Sequence, residues 1–268
     1  MTEYIFDNHS HSKHSFDGSG EINEICQSAI EKGACGIAIT DHCDLGIYYT
    51  ENWRENFAAL QKDIISAREI YGDRLKISFG IELGQPLHDE KTAAEVLAAY
   101  NYDVVLGSIH NVKDNEDFYF LQDKEVDRKK LADLYYAEEL ELARKNNFDI
   151  LAHLTYAYRY LGHGTGMPEP QQYEELLREL FKTLIQNGKA LEVNASGVYK
   201  TPQLEIMPQL WELKLYKECG GELVTLASDS HKPRFITGGN REGRELLRAA
   251  GFKYQAFYQN RKPEMFPL

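Results

Sequence analysis

Nearly every apolar run in this chain ends in a histidine or a carboxylate, and that regularity restricts the folds open to it. From the amino terminus, the runs finish in Asn8-His9-Ser10-His11, Thr40-Asp41-His42, Gly80-Ile81-Glu82 and Ser108-Ile109-His110. The series continues with Leu151-Ala152-His153, Glu192-Val193-Asn194 and Ser228-Asp229-Ser230-His231. Six of the nine histidines fall at these junctions. In a parallel α/β fold the C-terminal strand ends converge on one rim, so residues far apart in sequence meet there. A rim carrying six imidazoles and several carboxylates describes a polynuclear metal site, and therefore an enzyme.

The rest of the chain supplies the alternation such a rim needs. Strands are expected at 4–8, 36–40, 76–81, 103–109, 149–152, 190–193 and 223–227, with a possible terminal strand at 254–258. Helices are expected at 20–32, 53–71, 91–100, 128–146, 169–186, 203–218 and 241–250. The helix at 53–71 turns Phe57, Leu60, Ile64 and Ile65 inward, and Gly72 is a plausible stop. Residues 111–125 read as an excursion over the rim. Residues 155–168 read as a glycine-rich loop whose Pro168 opens the next helix. Strict alternation without linkers implies right-handed crossovers and a parallel sheet. Metal-type residues end nearly every strand, whereas an open sheet concentrates its site at one switch point. The expected fold is thus α/β, a distorted (β/α)7 TIM-like barrel, with 1–268 as a single domain.

Charge narrows the partners. A net charge of −12 argues against a nucleic-acid surface, which needs basic tracts. No stretch approaches the ~20 apolar residues of a membrane span, and the amino terminus lacks a secretory signal, so a cytoplasmic location is expected. Cys26, Cys35, Cys43 and Cys219 show no paired spacing and read as reduced thiols. Cys43 follows His42, but a lone thiol there is better read as filler than as a ligand.

His9 and His11 point to the same side of an extended segment, because strand residues alternate faces. Such a pair can grip one ion, and Asp229 and His231 repeat the spacing at the last strand. Glu82 ends a strand after glycine, where its two oxygens could bridge neighbouring ions. Singly, each of these residues could equally cap a helix or bond a carbonyl; together they point to a metal centre.

The set His9-Ser10-His11, Ile39 to His42, Gly80 to Glu82, Gly107 to His110, His153 and Ser228 to His231 resembles the PHP family, polymerase and histidinol phosphatase. Gly107 to Val112, the Arg159 segment and Glu192 to Lys200 are most similar to its histidinol-phosphate phosphatase branch. The resemblance covers essentially the whole chain and implies a distorted seven-stranded barrel with three divalent metal ions, zinc, manganese or iron. It implies one ion on His9, His11, Glu82 and Asp229, and a second on Glu82, His110 and His153. The third would take Asp17, His42 and His231; Asp17 is the loosest transfer, because that position varies in the family and His14 is close by. His14, His88 and His163 match no ligand position.

A phosphomonoester dianion repels nucleophiles, and clustered cations answer this by generating hydroxide at neutral pH and clamping the phosphoryl group. On this reading a metal-bridging hydroxide attacks, and Asp229 relays the water proton. His42 or His231 protonates the leaving group. Arg159 and Lys200, each six residues past a strand end, are the expected phosphate clamp. The small-molecule substrate implied is L-histidinol phosphate, cleaved to L-histidinol and phosphate in histidine biosynthesis. Its cationic groups would suit acids of the rim loops: Glu51, Asp114, Glu116 or Asp117. Alternatives are a phosphoesterase acting on nucleotides or other small esters, an amidohydrolase-type hydrolase, or an inactive metal-binding domain. An amidohydrolase would usually need a bridging lysine at a strand end, and an inactive domain would show gaps in the ligand set; neither is found. Oligomeric state is not legible.

Overall fold

Short buried strands and longer amphipathic helices alternate along the chain. The computed structural model describes residues 4–46, 52–162, 166–200 and 205–268. Its first half comprises β1 (Phe6–Asp7), α1 (Ile22–Glu31), β2 (Gly36–Ile39), β3 (His42–Asp44), α2 (Trp53–Tyr71), β4 (Lys76–Gly84), α3 (Glu90–Ala99) and β5 (Val104–Ser108). A rim segment then carries α4 (Phe118–Leu121) before α5 (Arg128–Lys145), β6 (Ile150–Leu151), α6 (Tyr156–Leu161) and α7 (Glu174–Gln186). The chain finishes with β7 (Ala190–Asn194), α8 (Gly197–Lys200), α9 (Leu210–Glu218), β8 (Val224–Ala227), α10 (Asn240–Ala249), β9 (Tyr254–Gln259) and β10 (Lys262–Pro267).

The barrel strands pair in the order β1-β2-β4-β5-β6-β7-β8, all in parallel. Backbone hydrogen bonds from Asn8 N–H to Leu226 O (2.9 Å), His11 N–H to Ser230 O (2.8 Å) and Asp229 N–H to His9 O (2.8 Å) close first strand onto last. This is the expected α/β barrel. Small apolar residues line its interior: Ala38, Val104, Leu106, Ile150, Ala152 and Ala190, capped from below by Ala256 and Tyr258 of β9. The helices bury their apolar stripes outside. In α2 that stripe is Trp53, Phe57, Leu60 and Ile64, and each such side chain contributes about 1.5–3 kcal/mol by leaving water.

The differences from expectation lie at ends and in loops. β4 runs to Gly84, past the expected Ile81, because β3, a strand not anticipated, pairs with its far end. Helix α6 occupies part of the segment read as a glycine-rich loop. Pro170 rather than Pro168 opens the next helical turn, a 3-10 segment leading into α7. The helix expected from Gln203 begins at Leu210, with Gln209 and Glu212 forming a reciprocal capping box just after Pro208. The terminal strand is half of a hairpin, its partner β10 pairing antiparallel. None of the described helices is long and apolar enough to cross a membrane.

Candidate metal centre

The strand ends deliver their histidines and acids to one buried cluster beneath a cavity of about 720 Å³. His9 and His11 leave β1 in extended conformation and present their Nε2 atoms 3.1 Å apart. The Glu82 carboxylate, 1% exposed, lies at the centre. Its Oε2 is 3.1 Å from His9 Nε2, 3.4 Å from His11 Nε2 and 3.0 Å from His42 Nδ1. Its Oε1 is 3.0 Å from His110 Nε2 and 2.7 Å from His153 Nε2. Asp229 Oδ1 is 3.4 Å from His11 Nε2. Farther out, Asp17 stands 3.0 Å from His231 Nε2 and 3.7 Å from His42 Nε2. All nine residues expected as ligands therefore meet in one place.

The neighbours of these candidate ligands aim them. His9 Nδ1 meets Glu192 Oε1 at 2.7 Å, and His110 Nδ1 meets Asp44 Oδ1 at 2.7 Å. Each contact assigns the ring proton to Nδ1 and leaves the Nε2 lone pair facing inward. His11 Nδ1 contacts Ser15 Oγ at 3.1 Å, and Ser15 in turn donates to Asp41 at 2.7 Å. Two of the candidate ligands sit on backbone that side chains rarely adopt: φ is +23° at His153 and +50° at Asp229. Strain of this kind persists where surrounding structure over-determines it, commonly at functional sites.

The electrostatics match a cation site. Burial disfavours charge on His9, yet Glu82 and Glu192 outweigh it and hold the ring well above its ordinary pKa. Glu82 and Asp44 do the same for His42 and His110. Burial would raise Glu82, but His9, His42 and His110 drive it well below the carboxylate range. His11, buried among His231 and His42, is pushed down instead. Positive charge is thus what the carboxylates demand, and divalent cations supply it without protons. The donor set fits them: His11, His42 and His231, His9, His11 and Glu82, and His42, Glu82 and His110 each offer atoms within 4.8 Å of one another. Buried His153 Nδ1 has no hydrogen-bond partner among the described residues. Mixed imidazole and carboxylate donors suit zinc, manganese or iron.

Arg159 and Lys200 both line the cavity. Arg159, on α6, is only 9% exposed, and its Nε and Nη2 have no hydrogen-bond partner among the described residues. Lys200, at the end of α8, lies 3.3 Å from Asp229 Oδ2. His14 pairs with Asp63 (2.9 Å) and His88 with Glu138 (3.0 Å), both apart from the ligand set. Glu116 turns away to Lys124, while Asp117 borders the cavity. Glu51 and His163 lie outside the described residues. Cys43 is a buried thiol in no disulfide. The orienting roles of Asp44 and Glu192 were not foreseen; Asp44 follows His42 at the same-face spacing, a signal available in the sequence.

Comparison with known proteins agrees with this geometry. The PHP domain model matches residues 7–196. The "Histidinol-phosphatase" of Lactococcus lactis is 27% identical over 268 residues, covering 96% of this chain and 95% of that protein. The "Probable histidinol-phosphatase" of Thermotoga maritima is 27% identical over 256 residues, with coverage of 94% and 95%. The crystal structure of the Lactococcus lactis histidinol phosphate phosphatase, complexed with zinc, L-histidinol and phosphate, superposes with a TM-score of 0.81. That superposition spans 97% of this chain and 98% of the other at 25% identity.

Proposed function

The chain belongs to the PHP family, and from that premise we propose that it is a metal-dependent phosphomonoesterase that cleaves L-histidinol phosphate to L-histidinol and phosphate. The observation that carries this reading is the buried histidine–carboxylate cluster sharing one cavity with Arg159, whose buried Nε and Nη2 have no hydrogen-bond partner among the described residues. Relatives along nearly the whole chain bear the histidinol-phosphatase name, which supports this substrate and a place in histidine biosynthesis. We take residues 1–268 to act as one domain. Free cysteines support a reducing, cytoplasmic setting.

His9, His11, Glu82 and Asp229 would hold one divalent ion, Glu82, His110 and His153 a second, and Asp17, His42 and His231 a third. Bound divalent cations lower the pKa of coordinated water and neutralise phosphoryl oxygens. The chain's own groups do the rest. Arg159 donates in bidentate fashion to the phosphate oxygens through its buried Nε and Nη2. Lys200 donates to the same group from beside Asp229. Asp229 is held anionic: burial opposes this, but Lys200 and the neighbouring histidines prevail. It is placed to take the proton of the attacking water. His42 and His231, at the cavity wall, are the groups placed to return a proton to the departing alcohol oxygen.

Phosphate release from a panel of phosphomonoesters by protein of known metal content tests the assignment. Strong selectivity for histidinol phosphate is expected. Broad or nucleotide-selective release would retain the phosphoesterase chemistry and overturn the substrate.

A further inference from the structure

Helix α6 carries Arg159 and has six residues, too few to be stable alone in water. Its first N–H groups lack intrahelical acceptors and need a partner from outside. Thr155, just before it, is of a type that ordinarily supplies one. Here its side chain makes no capping bond, and its backbone is left-handed, with φ +83°. The partner comes from another helix. The Tyr135 hydroxyl, on α5, accepts the N–H of Thr155 at 3.1 Å and that of Tyr156 at 3.1 Å. The Tyr156 N–H is shared with the His153 carbonyl, at 2.9 Å.

The surroundings of Tyr135 fix it in that position. The residue is fully buried and is not among those lining the cavity. Phe118 of α4 meets its ring edge-on at 5.6 Å, and Tyr136 does so at 5.5 Å. Glu139, one turn farther along α5, is buried beside the hydroxyl and offers an acceptor for its proton. Filling space would need only a phenylalanine; the two main-chain contacts are what the hydroxyl adds.

The segment so held joins two parts of the site. His153, at φ +23°, is pinned at its own N–H by Glu192 Oε2 at 2.7 Å. Two residues on, Tyr135 pins the same turn from α5. Arg159 follows one helical turn later, its backbone N–H bonded to Thr155 O at 3.3 Å. Its buried Nε and Nη2 have no hydrogen-bond partner among the described residues. A displaced turn therefore displaces the guanidinium, and misplacement by about 1 Å can cost about a hundredfold.

We infer that Tyr135 is a positioning residue: its hydroxyl closes the turn between His153 and α6 and thereby aims Arg159 at the phosphate, without touching substrate. The inference rests on the phosphatase reading above and adds to it a residue outside the cavity.

Tyr135→Phe removes the hydroxyl and keeps the ring. In zinc-loaded protein, KM for histidinol phosphate and the inhibition constant of inorganic phosphate should both rise about tenfold, with kcat held within about twofold. In an Arg159→Ala background the same substitution should add no further rise, because residues acting through one another are non-additive. Equal rises in both backgrounds, or none in either, would overturn the positioning role. A tyrosine that only stabilised the fold would lower the unfolding temperature and leave both constants unchanged. Amide hydrogen exchange on the wild type needs no variant to fold. Thr155 and Tyr156 should be protected in the phosphate-free protein, and free exchange at Thr155 would overturn the inference. If wild type neither cleaves phosphate esters nor binds inorganic phosphate, the phosphatase reading falls and the aiming of Arg159 falls with it. Protection at Thr155 in that protein would mark the failure as one of the reading and not of the capping contact.

Discussion

Glu192 Oε1 lies 2.7 Å from His9 Nδ1, and neither side chain is exposed to solvent. The other oxygen of the same carboxylate accepts the backbone N–H of His153 at 2.7 Å. One acid therefore fixes the His9 ring after β1 and the His153 backbone after β6. Orienting partners of this kind typically contribute 10–100-fold in metal affinity.

Glu192→Gln should accordingly weaken metal binding by about tenfold to a hundredfold without removing a ligand. Competition against a chelator of known affinity reads this directly. Unchanged affinity would show that His9 needs no such orientation.

Glu82→Ala should empty the centre. Its two oxygens contact five histidines, so metal content and activity should collapse together, by several orders of magnitude in rate. Elemental analysis alongside phosphate release checks both. Activity retained in a metal-free variant would overturn the metal mechanism.

Arg159→Ala should leave the metals in place and raise KM by about tenfold to a hundredfold, the loss expected for a charge-assisted bidentate contact. Steady-state kinetics with parallel metal analysis measures it. An unchanged KM would remove Arg159 from the phosphate clamp.

Two buried acids away from the ligand cluster give a pH signature. Burial raises Glu139 and Glu212 from 4.5 to about 8 each. Both are neutral in the folded protein at pH 7 and ionised in the unfolded chain. The unfolded state thus binds fewer protons, and stability falls as pH rises from about 4.5 to about 8, by up to about 1.4 kcal/mol per unit for each acid. Their stabilising share is fully present below the unfolded pKa and gone above the folded one. Urea unfolding of wild type and Glu139→Gln at pH 5.5, 7 and 8.5 tests this, with wild type expected to lose ground to the variant as pH rises. Parallel curves would contradict it.

Much of this was legible in the sequence because chemistry and period coincide. His9 and His11 share a face by strand alternation, and Glu82, His110, His153 and Asp229 each close an apolar run, so parallel topology alone brings them together. Helix α2 matched its expected bounds, since Phe57, Leu60 and Ile64 repeat at helical spacing. What stayed hidden depends on tertiary context. Tyr156 to Leu161 lies between glycines and histidines and turns helical only where Ala157, Arg159 and Leu161 are buried. β10 carries two prolines and polar side chains, and is a strand only because β9 offers it an edge. Asp44 shares a face with His42 and Glu192 closes an apolar run, but which ring nitrogens they hold follows only from the packing.

We propose that this cavity hydrolyses histidinol phosphate with metals held by the strand-end residues. The most direct test is phosphate release from histidinol phosphate by protein stripped with a chelator and then titrated with zinc or manganese. The stripped protein should release no phosphate, and activity should return in step with ions bound. Full activity in the stripped protein, or none in the fully metallated one, would contradict it.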